Sequence, residues 1–205
     1  MKAGLIALGV VVVLLLALGG CAAGNYNSLV RAKADVDNKW NQVNNQLQRR
    51  GDLVGNLVET VKGAAGQEQA VFGEIANARA AMAGARTTQQ AIGAAQGMDS
   101  ALGRLMVVVE NYPQLKSEES FQVLMEQLEG TENRLATERG RYNDSVRDYN
   151  IMVQSFPSNI FAGMFHFMPA EGYPVDEKAK VVPKVDFSGI RPSAPGAPAT
   201  APSKP

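Results

Sequence analysis

The stretch FQVLMEQLEGTENRLATERGRYNDSVRDYNIMVQSF, residues 121–156, decides the fold of this chain. Every seventh side chain in it is large and apolar or aromatic: Phe121, Leu128, Leu135, Tyr142, Tyr149 and Phe156. A period of seven places these side chains on one face of an α-helix, whereas a strand alternates every two residues. The stretch therefore predicts a helix about 50 Å long, which needs partner helices to cover its apolar stripe.

Three earlier segments repeat this pattern. Apolar residues recur at helical spacing over residues 26–50, 53–82 and 92–109. The third run ends at Tyr112-Pro113 and the fourth at Phe156-Pro157, because proline disfavours helical conformation at the residue before it. The sequence thus predicts an all-α fold, an antiparallel bundle of about four long helices.

Two local signals predict where helices begin. Gly51 and Asp52 indicate an interruption or kink between the first and second helices, because glycine weakens a helix interior and aspartate caps a new start. In the same way, Ser117 or Ser120 is expected to cap the long fourth helix. Glu68 is the one acid within the apolar stripe of the second run.

The N-terminal residues 1–21 form a separate unit. Lys2 precedes an unbroken run of small and apolar residues, and the run ends at Cys21, the only cysteine in the chain. Such a segment directs a chain to a membrane, with the remainder on the far side. Two interpretations stay open: a lipoprotein signal whose Leu-Gly-Gly-Cys box leads to lipidation of Cys21, or a retained transmembrane helix, since about 20 apolar residues suffice to span a bilayer.

The C-terminal part changes in composition. Residues 158–168 form an apolar patch that is expected to fold back onto the end of the bundle as a short helix or turn. Beyond it, residues 169–205 are predicted to be an extended to disordered tail, because the chain there is increasingly rich in proline and alanine and loses its apolar period. Residues 25–168 then form one helical domain, large enough for a continuous core.

Long and specific motifs run from about Tyr26 to Phe167, above all RYNDSVRDYN, residues 141–150. Together they resemble the LemA family of bacterial envelope proteins. The motif positions, to which we assign a structural or interaction role, are Tyr26, Asn27, Trp40, Arg50, Asp52, Asn56, Tyr112, Pro113, Glu132, Asn133, Arg134, Tyr142, Asn143, Arg147, Tyr149, Asn150 and Pro157. Two residues depart from the family pattern: Gly55 replaces a usual proline, and His166 replaces a usual glycine.

The resemblance implies a helical bundle tethered to a bacterial membrane on its extracytoplasmic side, with no agreed catalytic residues or substrate. We therefore expect a non-catalytic scaffold or interaction module that docks an envelope protein or its own copies. The alternative is a ligand-binding or enzymatic bundle with a site near Arg141, Tyr142 and Glu132. Whether the membrane is the inner or the outer one is left open.

The composition of the predicted bundle agrees with an expectation of no enzyme, metal or cofactor. Residues 26–156 contain neither histidine nor cysteine, so the usual nucleophile and base pairs lack their members. No glutamate has a histidine three residues later, as di-metal bundles require. Nucleic-acid binding is not expected either, because 20 basic and 20 acidic residues give no net charge.

Asn143 and Asn150 are seven residues apart and form a second stripe beside the tyrosines. They are expected to hydrogen-bond to a helix break or terminus across the bundle, which would make the motif a determinant of the fold. Alternatively, they line a groove for a partner.

Overall fold

The computed structural model of the chain describes residues 2–174, so the predicted tail from residue 175 onward lies outside the described residues. The described part is helical and contains no strand. Its elements are α1 (Lys2–Ala65), α2 (Gln69–Gly84), α3 (Thr88–Glu110), α4 (Pro113–Lys116), α5 (Glu119–Gln154) and α6 (Ser158–Met164). The long helices α1, α2, α3 and α5 confirm the predicted all-α bundle.

Helix α1 is continuous, and the predicted interruption at residues 49–52 is wrong. Gly51 is buried within the helix, between the buried side chains of Leu47 and Leu53. The packing of these side chains in the core keeps the backbone helical at this position. Core packing therefore outweighs the weak helix propensity of glycine. The helix instead ends at Ala65, and Glu68, the acid that interrupts the apolar stripe, is the N-cap residue of α2.

The other connections are short. Thr87 caps α3, since its side-chain oxygen accepts a hydrogen bond from the Gln90 backbone N–H at 3.2 Å. The predicted stop at Tyr112-Pro113 is confirmed, with Pro113 as the first residue of α4. The expected serine cap of α5 is wrong, because Glu118 occupies the N-cap position without a side-chain hydrogen bond.

The core has two parts along the bundle, which we call distal and proximal relative to the N-terminal apolar segment. In the distal half, the α2–α3 hairpin packs against α1 and α5 around Val54, Leu57, Ile75, Leu105 and Leu128. In the proximal half, α1 and α5 pack around Leu29, Val43, Tyr142 and Tyr149, and the cover comes mainly from α6 and the residues that follow it.

Helix α6 folds back onto the bundle, as the sequence predicts. Its end is a Schellman motif, in which the Phe167 N–H donates to the Ala162 carbonyl at 2.9 Å and the His166 N–H donates to the Gly163 carbonyl at 3.4 Å. His166 adopts a φ of 60°. This left-handed conformation favours glycine, which explains why the family pattern has glycine there.

The N-terminal part of α1 is apolar and exposed. Among residues 2–174, one helix is long and apolar enough to cross a membrane; its most apolar stretch lies near the N-terminus and is not buried. Leu14, Leu15 and Leu16 are each more than half exposed. This pattern fits both a membrane span and a signal sequence.

The continuity of α1 predicts the effect of Gly51→Ala. A Cβ at this position would meet only the Met82 sulfur, at an ordinary 3.6 Å. The substitution should therefore raise the free energy of unfolding by about 0.5–1 kcal/mol through helix propensity. Urea unfolding followed by circular dichroism, on the full chain in mild detergent, measures this change.

The matched control is Gly66→Ala, at the true end of α1. A Cβ there would lie 3.3 Å from the Lys62 carbonyl oxygen, so no comparable gain is expected. A loss of stability in Gly51→Ala, together with a gain in Gly66→Ala, would instead place the break at Gly51.

Candidate functional site

Two asparagines of α5 hold an extended segment against the bundle. Asn150 donates to the Ala170 carbonyl at 2.8 Å and accepts from the Ala170 N–H at 2.8 Å. Asn143 donates to the Tyr173 carbonyl at 3.0 Å and accepts from the Tyr173 N–H at 2.7 Å. Each amide therefore binds one residue of the segment at both its backbone groups. We call residues 168–173 the strap.

The neighbouring tyrosines bind the same segment. The Tyr142 hydroxyl donates to the Glu171 carbonyl at 2.7 Å, and the Tyr149 hydroxyl donates to the Met168 carbonyl at 3.0 Å. Two Tyr-Asn pairs thus contact four backbone positions of the strap. We call this arrangement of Tyr142, Asn143, Tyr149 and Asn150 the Tyr-Asn ladder.

The spacing of the ladder follows from helix and strand geometry. The repeat of seven residues on α5 corresponds to about 10.5 Å along the helix axis. The bound positions on the strap, Ala170 and Tyr173 or Met168 and Glu171, are three residues apart, and three extended residues span about 10 Å. The two repeats match, and the strap runs antiparallel to α5.

An extended strap requires such partners because it has no neighbouring strand. Buried backbone N–H and C=O groups must be paired, and an asparagine amide supplies one acceptor and two donors in the geometry of a peptide group. Gly172 permits the close approach, since a Cβ there would lie 3.1 Å from the Asn143 Oδ1 atom. The ladder thus takes the place of a β-sheet neighbour.

Burial raises the pKa of both ladder tyrosines above the ordinary value. For Tyr142, the nearby Asp37 carboxylate raises the pKa further and a hydrogen bond with Thr88 opposes the shift. For Tyr149, burial is again the largest cause and Asp37 the second. Both hydroxyls therefore keep the proton that they donate to the strap at neutral pH.

A set of ion pairs lies beyond the end of the strap. The buried guanidinium of Arg50 contacts the Asp99 carboxylate and lies 3.2 Å from the Glu132 carboxylate. Glu132 also faces Arg139 at 3.4 Å, and the Arg139 guanidinium stacks 4.5 Å from the centre of the Tyr173 ring. This set links α1, α3 and α5 to the last residue of the strap.

A groove of about 640 Å³ opens beside the ladder, between α1, the start of α3 and the strap. Trp40, Tyr142 and Tyr149 line its apolar wall, and the ring centres of Trp40 and Tyr142 are 5.3 Å apart. Lys33 and Asp37 lie at the same groove and pair with each other.

The remaining motif positions are distributed over the molecule. Tyr26 packs edge-on against Phe165, with ring centres 4.8 Å apart. Asp52 lies 3.9 Å from Arg79, and Arg147 pairs with Asp144 at 3.0 Å on its own helix. The other positions are exposed or, for Tyr112, half-buried at helix ends: Asn27, Asn56, Tyr112, Pro113, Asn133, Arg134 and Pro157. The motif thus does not form a single site.

The partner of the ladder could not be recognised from the sequence pattern. The asparagines bind neither a helix terminus nor an open groove but the strap, of which residues 169–173 fall in the stretch that we assigned to the tail. The sequence signal that could have indicated the strap is Gly172-Tyr173, directly before Pro174. An aromatic residue before proline is unlike the rest of the tail.

These features define a class: a helical bundle whose first helix continues from an apolar, membrane-type segment and whose α5 binds an extended strap at residues 168–173. Among the described residues, no group of three or more His, Cys, Asp or Glu side chains is arranged to hold a metal ion. The model of the LemA family matches residues 39–187, and the chain belongs to this family.

Relatives agree with this assignment. Magnetosome protein MamQ 2 of Paramagnetospirillum magneticum is 30% identical over 172 residues, which cover 71% of this chain and 63% of the relative. Magnetosome protein MamQ of Magnetospirillum gryphiswaldense is 27% identical over 184 residues, covering 73% of this chain and 68% of the relative. The chain thus spans less than two thirds of the length of the first of these relatives.

The ladder predicts that Asn150→Asp destabilises the fold. A carboxylate has the size of the amide but cannot donate to the Ala170 carbonyl, which would face a negative oxygen instead. We expect a loss of about 2 kcal/mol in the free energy of unfolding, the range for a buried polar group that loses its partner. Asn143→Asp should behave alike, and urea unfolding measures both.

Asn133→Asp is the matched control, because Asn133 lies exposed on the same helix. Its effect should stay within about 0.5 kcal/mol. Equal losses at all three positions would show that the ladder contributes nothing specific.

Proposed function

We propose that the protein is a non-catalytic, membrane-tethered interaction module of the bacterial cell envelope, with its bundle on the extracytoplasmic side. The supporting observation is α1, which runs from the apolar segment into both halves of the core without a break. A bundle whose first helix begins at the attachment point, either a lipid on Cys21 or a retained span, is held at a membrane surface. The family and the relatives named as magnetosome proteins agree with membrane association.

The geometry weighs against the enzymatic alternative. The Tyr142 hydroxyl is bound to the strap, Glu132 faces Arg50 and Arg139, and exposed Arg141 pairs with Glu138 at 2.7 Å on its own helix. Tyr142 lies at the groove beside the strap, whereas Glu132 lines a different depression beside α5. The three side chains proposed for that site therefore do not converge on one space.

The surface that best suits a partner is the outer groove of the α2–α3 hairpin, of about 600 Å³. Its floor consists of small side chains, among them Ala81, Gly93 and Gly97, and Glu74 and Arg104 pair across one end. Small residues let another backbone approach closely. We infer that this groove receives a helix of an envelope protein or of a second copy.

Gly97→Trp tests the groove. A Cβ at Gly97 meets nothing within 4 Å, so the indole fills the groove while the bundle keeps its fold. A photo-crosslinking residue at Gln90, which lines the groove, should give a defined cross-linked product in intact membranes. Gly97→Trp should abolish this product.

Gly103→Trp is the matched control. Gly103 is exposed on the same helix, its Cβ position is equally open, and it does not line the groove. The product should persist in this variant. Absence of any product from Gln90, or equal loss in both tryptophan variants, would contradict a groove partner.

We further propose that Cys21 is the site of lipidation, with a retained transmembrane helix as the alternative. Cys21 is exposed on α1, directly after the apolar segment. The intact mass of membrane-extracted protein should show loss of residues 1–20 and added acyl mass, and Cys21→Ala should retain residues 1–20. A full-length mass without lipid would instead establish the transmembrane anchor.

A further inference from the structure

The segment around α6 exposes a set of large apolar side chains. Phe156 is 80% exposed, Met168 74%, Met164 62% and Ile160 54%. The opposite side of α6 packs on the proximal core through Ala162 and the half-buried Phe161. Ile160 and Met164 thus lie on the exposed side of α6, and Phe156 and Met168 lie just before and after the helix. Several large apolar side chains exposed in one short segment mark an interaction site. We call Phe156, Ile160, Met164 and Met168 the α6 apolar face.

This face lies next to the membrane segment of α1. The Ser158 hydroxyl donates to the Asn25 side-chain oxygen at 2.8 Å, and the Tyr26 ring packs against Phe165 and Phe167. Asn25 is only four residues beyond Cys21, which is about 6 Å along the helix. The headgroup layer of a bilayer is about 5–7 Å thick on each side. The α6 segment is therefore within reach of the membrane whether a lipid on Cys21 or a spanning helix forms the anchor.

The distribution of charged residues along the chain indicates what the α6 apolar face contacts. No Asp, Glu, Lys or Arg occurs between Lys2 and Arg31, or between Asp148 and Glu171, although 20% of the chain is charged. Because α5 runs antiparallel to α1, both charge-free stretches meet at the proximal end of the bundle. Charged side chains are costly in a bilayer, whereas the rim of a protein–protein interface is polar and exposed to solvent.

We propose that the α6 apolar face inserts into the interface of the membrane to which α1 is anchored. The bundle then contacts the membrane at two places, the start of α1 and the α6 apolar face, rather than at one. The proposal rests on the proposed membrane attachment and adds a second, peripheral contact. Such contacts bury an apolar face about 5–10 Å into the boundary between headgroups and acyl chains.

Tryptophan quenching tests the contact on the full chain. Trp40→Phe removes the only tryptophan, and Ile160→Trp then places a single probe on the face. In vesicles of phosphatidylcholine and phosphatidylglycerol with brominated acyl chains, the probe should be quenched several-fold more than Val107→Trp in the same background. Val107 is 62% exposed on α3 in the distal half and serves as the matched control.

Equal quenching at both positions, in protein that still floats with the vesicles, would overturn the contact while leaving the attachment intact. Failure to float would overturn both. Equal quenching together with cross-linking between residues 160 of two chains would identify a second copy as the occupant and overturn the lipid contact.

A second measurement needs no substitution. Wild-type protein in vesicles that carry a photoactivatable acyl chain should acquire lipid adducts on residues 156–168, which mass spectrometry locates. Absence of adducts from residues 156–168, in protein that floats with the vesicles, would overturn the proposal even if the tryptophan variants failed to fold.

Discussion

The proximal half of this bundle depends on hydrogen bonds between two side-chain amides and an extended backbone. Asn143 and Asn150 pair with both backbone groups of Tyr173 and Ala170. Without the strap, the apolar faces of α1 and α5 would extend beyond the α2–α3 hairpin with α6 as their main cover. An extended chain can serve there only if its backbone groups find partners, and the ladder supplies them.

The sequence predicted the long helices well because packing and periodicity agree over α3 and α5. It failed at Gly51, where local propensity favours a break but buried Leu47 and Leu53 hold the helix together. It also missed the strap. An extended segment held by side chains has no apolar period, so its position depends on contacts between residues about 30 apart, such as Asn143 with Tyr173.

The two departures from the family pattern have local explanations. Gly55 lies under the guanidinium of Arg79, and a Cβ there would come within 2.5 Å of it, so glycine gives this α2 side chain room against α1. His166 takes the left-handed position of the Schellman motif, where a side chain adds backbone strain of about 1–2 kcal/mol relative to the favoured right-handed conformation.

The unbroken α1 helix also bears on how the bundle is rotated about the helix axis relative to the apolar segment. Its apolar segment and its core residues, from Leu29 to Val61, share one helical register. Each residue of an α-helix turns the chain by about 100°. If the apolar segment is retained as a transmembrane helix, the side of the bundle that faces a given direction in the membrane plane is set by the number of residues between this span and Leu29. Insertion of one residue there would swing the whole bundle by more than a quarter turn about the helix axis, whereas a flexible linker would absorb it.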